Sequence, residues 1–206
     1  MTKPLPFARR TARIAATLLA FAPLPVLAQA LTTQQQTKVD KIVTDALAAS
    51  QVPSASIAIV QGGKIVYAKA YGNQGPDVKQ TSADTRYQIA SISKQFTAAA
   101  MLLLEDQGKL SLDDKVSKYL PDITDADQIT IRQLLSHTSG LQDYWPQDYS
   151  PEQMRHDTTP QKIVDQWAKK PLDFKPGTQW QYSNTGYVVA GLIIEKVSGE
   201  DLMTFL

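Results

Sequence analysis

Two residues near the middle of the chain, Ser91 and Lys94, have the types and the spacing of a nucleophile and its base. They begin a run of alanine, leucine and methionine, residues that favour a helix, and Gly108 supplies a stop after it. A three-residue spacing places both side chains on one helix face. The helix N-terminus adds unpaired N–H groups and a partial positive charge. The sequence therefore predicts a point at which a nucleophile, a base and an oxyanion site could meet.

The helix that follows is apolar on almost every face from Phe96 to Leu104, which is typical of a buried central helix. Burial would partly desolvate Lys94 and favour the neutral amine that a base requires. A simpler interpretation is that Ser91 caps the helix while Lys94 extends along its surface into solvent. Only partner residues elsewhere in the chain can separate these alternatives.

The elements around this helix predict an α/β (α+β) fold in which an antiparallel sheet is flanked by helices. An amphipathic helix through residues 39–47 precedes two strands, Ser54 to Gln61 and Lys64 to Tyr71, which a two-glycine hairpin turn connects. A mostly helical insertion, about residues 110–174, comes before a last long helix, Val188 to Val197.

The first thirty residues have the composition of a secretory signal. A basic head is followed by an apolar middle, residues 14–27, and by the small-residue cleavage pattern Ala28-Gln29-Ala30. We expect cleavage after Ala30, with the mature protein periplasmic or secreted by a bacterium; an uncleaved anchor is the alternative. The apolar run is short and interrupted by Pro23 and Pro25, whereas a membrane span needs about 20 residues, so we expect no stable membrane span.

Composition excludes several classes of function. Without the four basic residues of the signal, 17 Lys and Arg stand against 20 Asp and Glu, a net charge of −3, and there is no nucleic-acid-binding footprint. The chain has no cysteine, which excludes disulfides and thiolate catalysis. The two histidines lack a metal-binding pattern, so we expect no metal and no cofactor.

Three further groups of residues are candidates for a site. His137 follows a short predicted helix, where a histidine more often bonds backbone carbonyls than belongs to a catalytic triad. The aromatic segment from Tyr144 to Tyr149 can either line a pocket or pack on the surface. Tyr182 and Asn184, two residues apart in a predicted loop before the last helix, can point to the same side.

Ser-x-x-Lys followed about ninety residues later by Tyr-x-Asn is much rarer than either half alone. The pair resembles the serine β-lactamase and penicillin-binding-protein superfamily. It is more similar to the branch of class C β-lactamases, D-alanyl-D-alanine carboxypeptidases and carboxylesterases. Four stretches, in the family's order, carry this resemblance over most of the chain after the signal: residues 89–97, 134–141, 174–177 and 182–187.

The resemblance implies a role for each matched residue. Ser91 would be the acylated nucleophile, Lys94 the base or proton relay beside it, and Tyr182 the partner that moves protons. Asn184 would hydrogen-bond the substrate and the lysine. The implied fold is that of the β-lactamases and transpeptidases. The implied reaction is acyl transfer from a small molecule or peptide, such as a β-lactam, a D-amino-acid peptide or an ester, through an acyl-enzyme.

The chain departs from the family in one respect. A third motif, a Lys-Thr-Gly-like or His-x-Gly triplet on a later strand, is not found after Tyr182. With it the second oxyanion N–H and the remaining strands are missing. We therefore expect residues 31–206 to be the N-terminal part of a longer hydrolase and inactive alone. Two alternatives stay open: a penicillin-binding-like sensor or scaffold without turnover, and an unrelated secreted α/β domain in which Ser91 is only a helix cap.

Overall fold

The structure is a computed structural model that describes residues 30–73, 81–145 and 156–206. Nearly all of the predicted signal, residues 1–29, lies outside the described residues, as does the aromatic segment from Pro146 onward. The chain divides after Tyr87 into two compact units. Among the described residues, no helix has both the length and the apolarity that crossing a membrane requires.

In its described residues, the first unit combines one helix with a hairpin. The helix is α1 (Thr33–Ser50), and the strands are β1 (Ser54–Gln61) and β2 (Lys64–Gly72). The two strands pair antiparallel along their length, with one irregularity between Ile59 and Val60. The antiparallel sheet predicted from two segments rich in strand-forming residues and the two-glycine turn between them is therefore confirmed.

A polar cluster attaches α1 to the sheet, and we refer to Asp40, Tyr67, Lys69 and Tyr71 as the Asp40 cluster. Asp40 Oδ1 accepts hydrogen bonds from the hydroxyls of Tyr67 and Tyr71, at 2.7 and 2.6 Å, and from Lys69 Nζ at 2.8 Å. Both tyrosine side chains are buried. The hydrogen bond from Lys69, followed by those from the two tyrosines, lowers the pKa of Asp40 to about 2.

The second unit is built from helices and turns. A 3-10 turn at Ala90–Ser93 leads directly into the first of its helices. Its helices are α2 (Lys94–Asp106), α3 (Ile131–Leu135), α4 (Pro160–Ile163), α5 (Asn184–Ser198) and α6 (Leu202–Phe205). A second 3-10 turn covers Val116–Lys118, and α4 continues into one π turn, Val164–Ala168.

One apolar core holds this second unit together. Met101 and Leu104 of α2 and Ile193 and Ile194 of α5 are fully buried in it. Burial of each such side chain stabilises the fold by about 1.5 to 3 kcal/mol. The segment 110–174 adds buried residues to the same core: Leu110, Leu112, Val116, Tyr119, Ile123, Ala126, Ile129, Ile131, Leu134, Leu141, Val164 and Ala168.

Only one face of α2 is buried. Met101 and Leu104 have no exposed surface, whereas the side chains of Phe96, Leu102 and Leu103 are 53%, 46% and 49% exposed. In the described residues, the burial predicted for this helix is therefore found on one of its faces. An all-round apolar pattern does not specify which of its faces a neighbour covers.

Candidate active site

The two residues that begin the candidate site lie at a junction between two kinds of helix. Ser91 lies in the 3-10 turn Ala90–Ser93, and Lys94 is the first residue of α2. The predicted first turn of a helix is therefore present but tighter than an α turn, and a 3-10 turn brings side chains three residues apart almost into line. Ala90, which precedes the serine, has a φ of 45°, a left-handed conformation that is uncommon for residues other than glycine.

Four side chains meet at this junction, and we call Ser91, Lys94, Tyr182 and Asn184 the Ser91 cluster. Lys94 Nζ donates to Ser91 Oγ at 3.2 Å and to Asn184 Oδ1 at 2.7 Å. Ser91 Oγ and Tyr182 Oη form a hydrogen bond of 2.7 Å. Ser91 is exposed and Lys94 is half-buried. The structure thus brings together all four residues that the sequence singled out.

Tyr182 is placed to exchange a proton with Ser91. Burial opposes ionisation of its hydroxyl, but interactions with Lys94 and then with Ser91 outweigh burial and lower the pKa of Tyr182 from its ordinary value of 10.0. Lys94 Nζ also lies 5.0 Å from the centre of the Tyr182 ring and 5.6 Å from that of Tyr187. The ammonium group therefore stabilises a phenolate at Tyr182 more than it would in open solvent.

Asn184 belongs to α5 and not to the loop in which the sequence placed it. The reason is Ser183, which caps the helix by accepting the backbone N–H of Gly186 on its Oγ at 3.1 Å. The helix therefore begins four residues before the predicted start at Val188. The loop assignment is wrong, although the Asn184 side chain does contact Lys94 as expected.

His137 shapes the backbone on both sides of Tyr182. Its Nδ1 accepts the N–H of Ser183 at 3.1 Å, and its carbonyl oxygen accepts the N–H of Gln181 at 2.9 Å. The imidazole lies 4.5 Å from the Tyr182 ring, centre to centre, at an angle of 31°. The sequence predicted a structural role through backbone carbonyls, but the ring accepts an N–H instead. Its stacking on Tyr182 was not predicted.

The surroundings of His137 favour the neutral form of its imidazole. Burial, followed by the positive charge of Lys94, lowers the pKa of His137 from its ordinary value. Because Nδ1 accepts the Ser183 N–H, the proton of the neutral ring is on Nε2. Protonation of Nδ1 would break that hydrogen bond and disturb the segment that carries Tyr182.

Asp143 is a residue of the site that the sequence analysis missed. Its Oδ1 accepts the backbone N–H of Asn184 at 2.9 Å, and its Oδ2 accepts Asn184 Nδ2 at 3.0 Å. The turn before it depends on Gly140, which has a φ of +82° and no room for a Cβ, since that atom would lie 2.2 Å from the carbonyl oxygen of Phe174. The available signal was an acidic residue two positions after the matched stretch 134–141.

The aromatic segment begins beside the site. The backbone N–H of Tyr144 donates to Thr185 Oγ1 at 2.9 Å, one residue after Asn184. Tyr144 is half-buried, and its ring lies 6.4 Å from that of Trp145 in an edge-to-face arrangement. In the part of the chain that the structure describes, no group of three or more His, Asp or Glu side chains could hold a metal ion.

Known proteins resemble this chain over most of its length. The family described as Beta-lactamase matches residues 39–206. Protein flp of Staphylococcus aureus (strain N315) is 36% identical over 189 residues, which cover 85% of this chain and 36% of that protein.

Two solved structures show the same likeness. The octameric penicillin-binding protein homologue from Pyrococcus abyssi is 32% identical with a TM-score of 0.71, over 82% of this chain and 41% of that one. The D-amino acid amidase from Ochrobactrum anthropi SV3, in complex with D-phenylalanine, is 29% identical with a TM-score of 0.74. The match covers 84% of this chain and 48% of the amidase chain. The chain thus spans between a third and a half of the length of these relatives.

Proposed function

Because the chain belongs to the β-lactamase family, we propose that it carries the nucleophile of a serine hydrolase that acts by acyl transfer. The observation that supports this most directly is the 2.7 Å hydrogen bond between Ser91 Oγ and Tyr182 Oη, with Lys94 Nζ 3.2 Å from the same serine oxygen. A serine hydroxyl is a weak nucleophile until a neighbouring base takes its proton. Both candidate bases are therefore within reach of the group that they would activate.

In the proposed reaction, Ser91 Oγ attacks the carbonyl carbon of an amide, a lactam or an ester, and its proton passes to Tyr182 Oη. The bond from the carbonyl carbon to the leaving nitrogen or oxygen then breaks. The leaving group takes the proton from Tyr182, and the acyl group stays on Ser91. A water molecule then gives a proton to the same tyrosine and attacks the carbonyl carbon of the acyl group. The bond from that carbon to Ser91 Oγ breaks, the acid leaves, and the tyrosine returns the proton to Ser91 Oγ. Lys94 stabilises the phenolate or relays its proton.

The remaining parts of the proposed site concern the developing negative charge on the carbonyl oxygen. We assign the backbone N–H of Ser91 as one donor to this oxyanion. The chain spans less than half of the length of these relatives, so the oxyanion site of the whole protein is part of this proposal. The tests use the full-length protein.

The proposed substrates are small molecules or peptides with a carbonyl next to a leaving nitrogen or oxygen. The amidase that resembles this chain is named for D-amino acid amides, and another relative is named as a penicillin-binding protein homologue. A D-amino-acid amide or peptide, a β-lactam and an ester are thus the three classes to assay first.

The decisive experiment replaces the nucleophile. Ser91→Ala in the complete protein should abolish covalent labelling by a fluorescent penicillin or a fluorophosphonate and should lower turnover by several orders of magnitude. Ser93→Ala is the matched control, because Ser93 Oγ donates to the carbonyl of Ala90 at 2.7 Å and not to the Ser91 cluster.

Undiminished labelling of the Ser91→Ala variant would exclude Ser91 as the nucleophile. The rate at which the label leaves the unchanged protein separates the two remaining functions. Rapid multiple turnover supports a hydrolase, whereas labelling followed by very slow release supports a penicillin-binding-like sensor or scaffold.

We also propose that the protein is exported and works in the periplasm or outside the cell. The basic head, the apolar middle and the Ala28-Gln29-Ala30 pattern support this proposal. Mass spectrometry of the exported protein should find Leu31 as its first residue. A mature chain that still begins at Met1 would contradict it.

A further inference from the structure

The two oxygens of Asp143 are both directed at one residue of the Ser91 cluster. Oδ1 accepts the backbone N–H of Asn184 at 2.9 Å, and Oδ2 accepts Asn184 Nδ2 at 3.0 Å. Oδ1 also accepts the backbone N–H of Trp145 at 3.2 Å. At its other end, the Asn184 amide accepts Lys94 Nζ on Oδ1 at 2.7 Å. A continuous chain of hydrogen bonds therefore runs from Asp143 through Asn184 to Lys94.

The orientation of the Asn184 amide decides whether Lys94 Nζ faces a hydrogen-bond acceptor or a donor. The oxygen and nitrogen ends of a side-chain amide have nearly the same shape, but one accepts hydrogen bonds and the other only donates them. A carboxylate only accepts, so it binds the nitrogen end and leaves the oxygen end for the lysine. From this geometry we propose that Asp143 is a positioning residue that fixes the amide of Asn184 with its oxygen toward Lys94. The inference rests on the proposed function of the Ser91 cluster.

This arrangement also keeps the carboxylate one side chain away from the lysine. Lys94 contacts a neutral amide oxygen, and the charge of Asp143 lies on the far side of Asn184. A carboxylate in direct contact would hold the ammonium in its charged form much more strongly. The other titratable groups that face Lys94 are Tyr182 and Tyr187, through their rings, and His137, whose pKa the lysine lowers.

The first test is Asp143→Asn in the complete protein. The new amide keeps an oxygen for the backbone N–H groups of Asn184 and Trp145, so the loop contacts survive. Its nitrogen, however, faces Asn184 Nδ2, and two donors cannot bond each other. The Asn184 amide should then turn and present a donor to Lys94. We expect the rate of acylation by a fluorescent penicillin to fall about 10²-fold, with an unchanged melting temperature.

Asp113→Asn is the matched control. Asp113 accepts Arg132 Nε at 2.9 Å in an exposed ion pair away from the Ser91 cluster, so this variant should keep the acylation rate of the unchanged protein. An acylation rate for Asp143→Asn within about twofold of the unchanged protein would overturn the inference, since it would mean that Asp143 only supports the loop. That result would leave the proposed function intact, which fails only if Ser91→Ala is still acylated.

The second test exchanges the two groups, in the double variant Asp143→Asn with Asn184→Asp. The amide at position 143 now donates to the carboxylate at position 184, so the side-chain hydrogen bond between the two positions is restored in reverse. The carboxylate accepts Lys94 with its other oxygen, so that hydrogen bond keeps its direction. At alkaline pH the acylation rate of the double variant should be at least about tenfold higher than that of Asp143→Asn. Because a full negative charge now touches Lys94, the rise of kcat/KM with pH should move to higher pH by about one unit or more. Failure of the double variant to exceed Asp143→Asn at any pH would contradict the inference.

Discussion

The Asp40 cluster and the Ser91 cluster each contain a lysine and a tyrosine, but the pKa of Tyr71 and the pKa of Tyr182 are shifted in opposite directions. In the Asp40 cluster, burial and then the hydrogen bond to Asp40 raise the pKa of Tyr71. In the Ser91 cluster, Lys94 and Ser91 outweigh burial and lower the pKa of Tyr182. The two tyrosines differ in exposure, 8% for Tyr71 and 37% for Tyr182, and in the sign of the charge at the centre of their cluster.

The central group therefore decides whether such a cluster is structural or chemical. The carboxylate at the centre of the Asp40 cluster accepts hydrogen bonds from the hydroxyls of both tyrosines, and it contributes to the raised pKa of Tyr71. A lysine at the centre favours the ionised tyrosine instead, and Asn184 holds that lysine without neutralising it. The first arrangement attaches a helix to a sheet, and the second can move a proton.

Replacing the lysine of each cluster, Lys94 or Lys69, by methionine should give the largest difference in kcat/KM between the two clusters. Lys94→Met removes the cation that stabilises the Tyr182 phenolate, so kcat/KM for a chromogenic cephalosporin or a nitrophenyl ester should fall about 10³-fold or more. Lys69→Met removes one donor from Asp40 in an exposed pair and should leave kcat/KM within about twofold. Equal losses in the two variants would contradict the distinction between the clusters.

The two tyrosines should separate activity from stability. Tyr182→Phe keeps the ring but removes the hydroxyl next to Ser91, so turnover should fall about 10²-fold with little change in thermal stability. Tyr71→Phe removes a buried hydrogen bond to Asp40 and should lower the free energy of unfolding by about 1 kcal/mol without changing turnover. Steady-state kinetics and denaturant melts of both variants test this. A loss of stability in Tyr182→Phe equal to its loss of activity would identify Tyr182 as a core residue.

The features that could be predicted from sequence are those that depend on residues close together in the chain. Two segments rich in Ile, Val, Ala and Tyr on either side of two glycines specify the hairpin, and a helix start fixes the separation of Ser91 and Lys94. The resemblance to a known family then paired them with Tyr182 and Asn184, about ninety residues away. None of these inferences needed a tertiary contact.

The features that were missed depend on contacts between distant segments. Asp143 reaches Asn184 across 41 residues, and His137 reaches Ser183 across 46. Neither the periodicity of apolar residues nor the spacing of nearby residues in the sequence indicates such a pairing. The early start of α5 has a different cause, because a hydroxyl cap at Ser183 begins the helix before its apolar pattern becomes visible.

The smallest expected effect concerns acid stability and the Asp40 cluster alone. The pKa of Asp40 is about 2 in the folded protein, against an ordinary value of 3.8. The unfolded chain therefore binds the proton more readily, so this group stabilises the fold fully above about pH 4 and loses that contribution as the pH falls to about 2. Asp40→Asn should thus have a melting temperature that changes less between about pH 5 and about pH 2 than that of the unchanged protein.

Three other carboxylates also have lowered pKa values, so the Asp40→Asn variant should keep part of its acid sensitivity. They are Asp113, Asp114 and Asp165, which form hydrogen bonds with Arg132, Lys118 and Lys169 respectively.

Asn184→Ala is the comparison from the other cluster. It removes the acceptor of Lys94 but no carboxylate, so it should impair turnover while leaving the pH dependence of melting unchanged. If Asp40→Asn melted with the full pH dependence of the unchanged protein, Asp40 would not be the charged centre of its cluster, and the contrast with the Ser91 cluster would lose its physical basis.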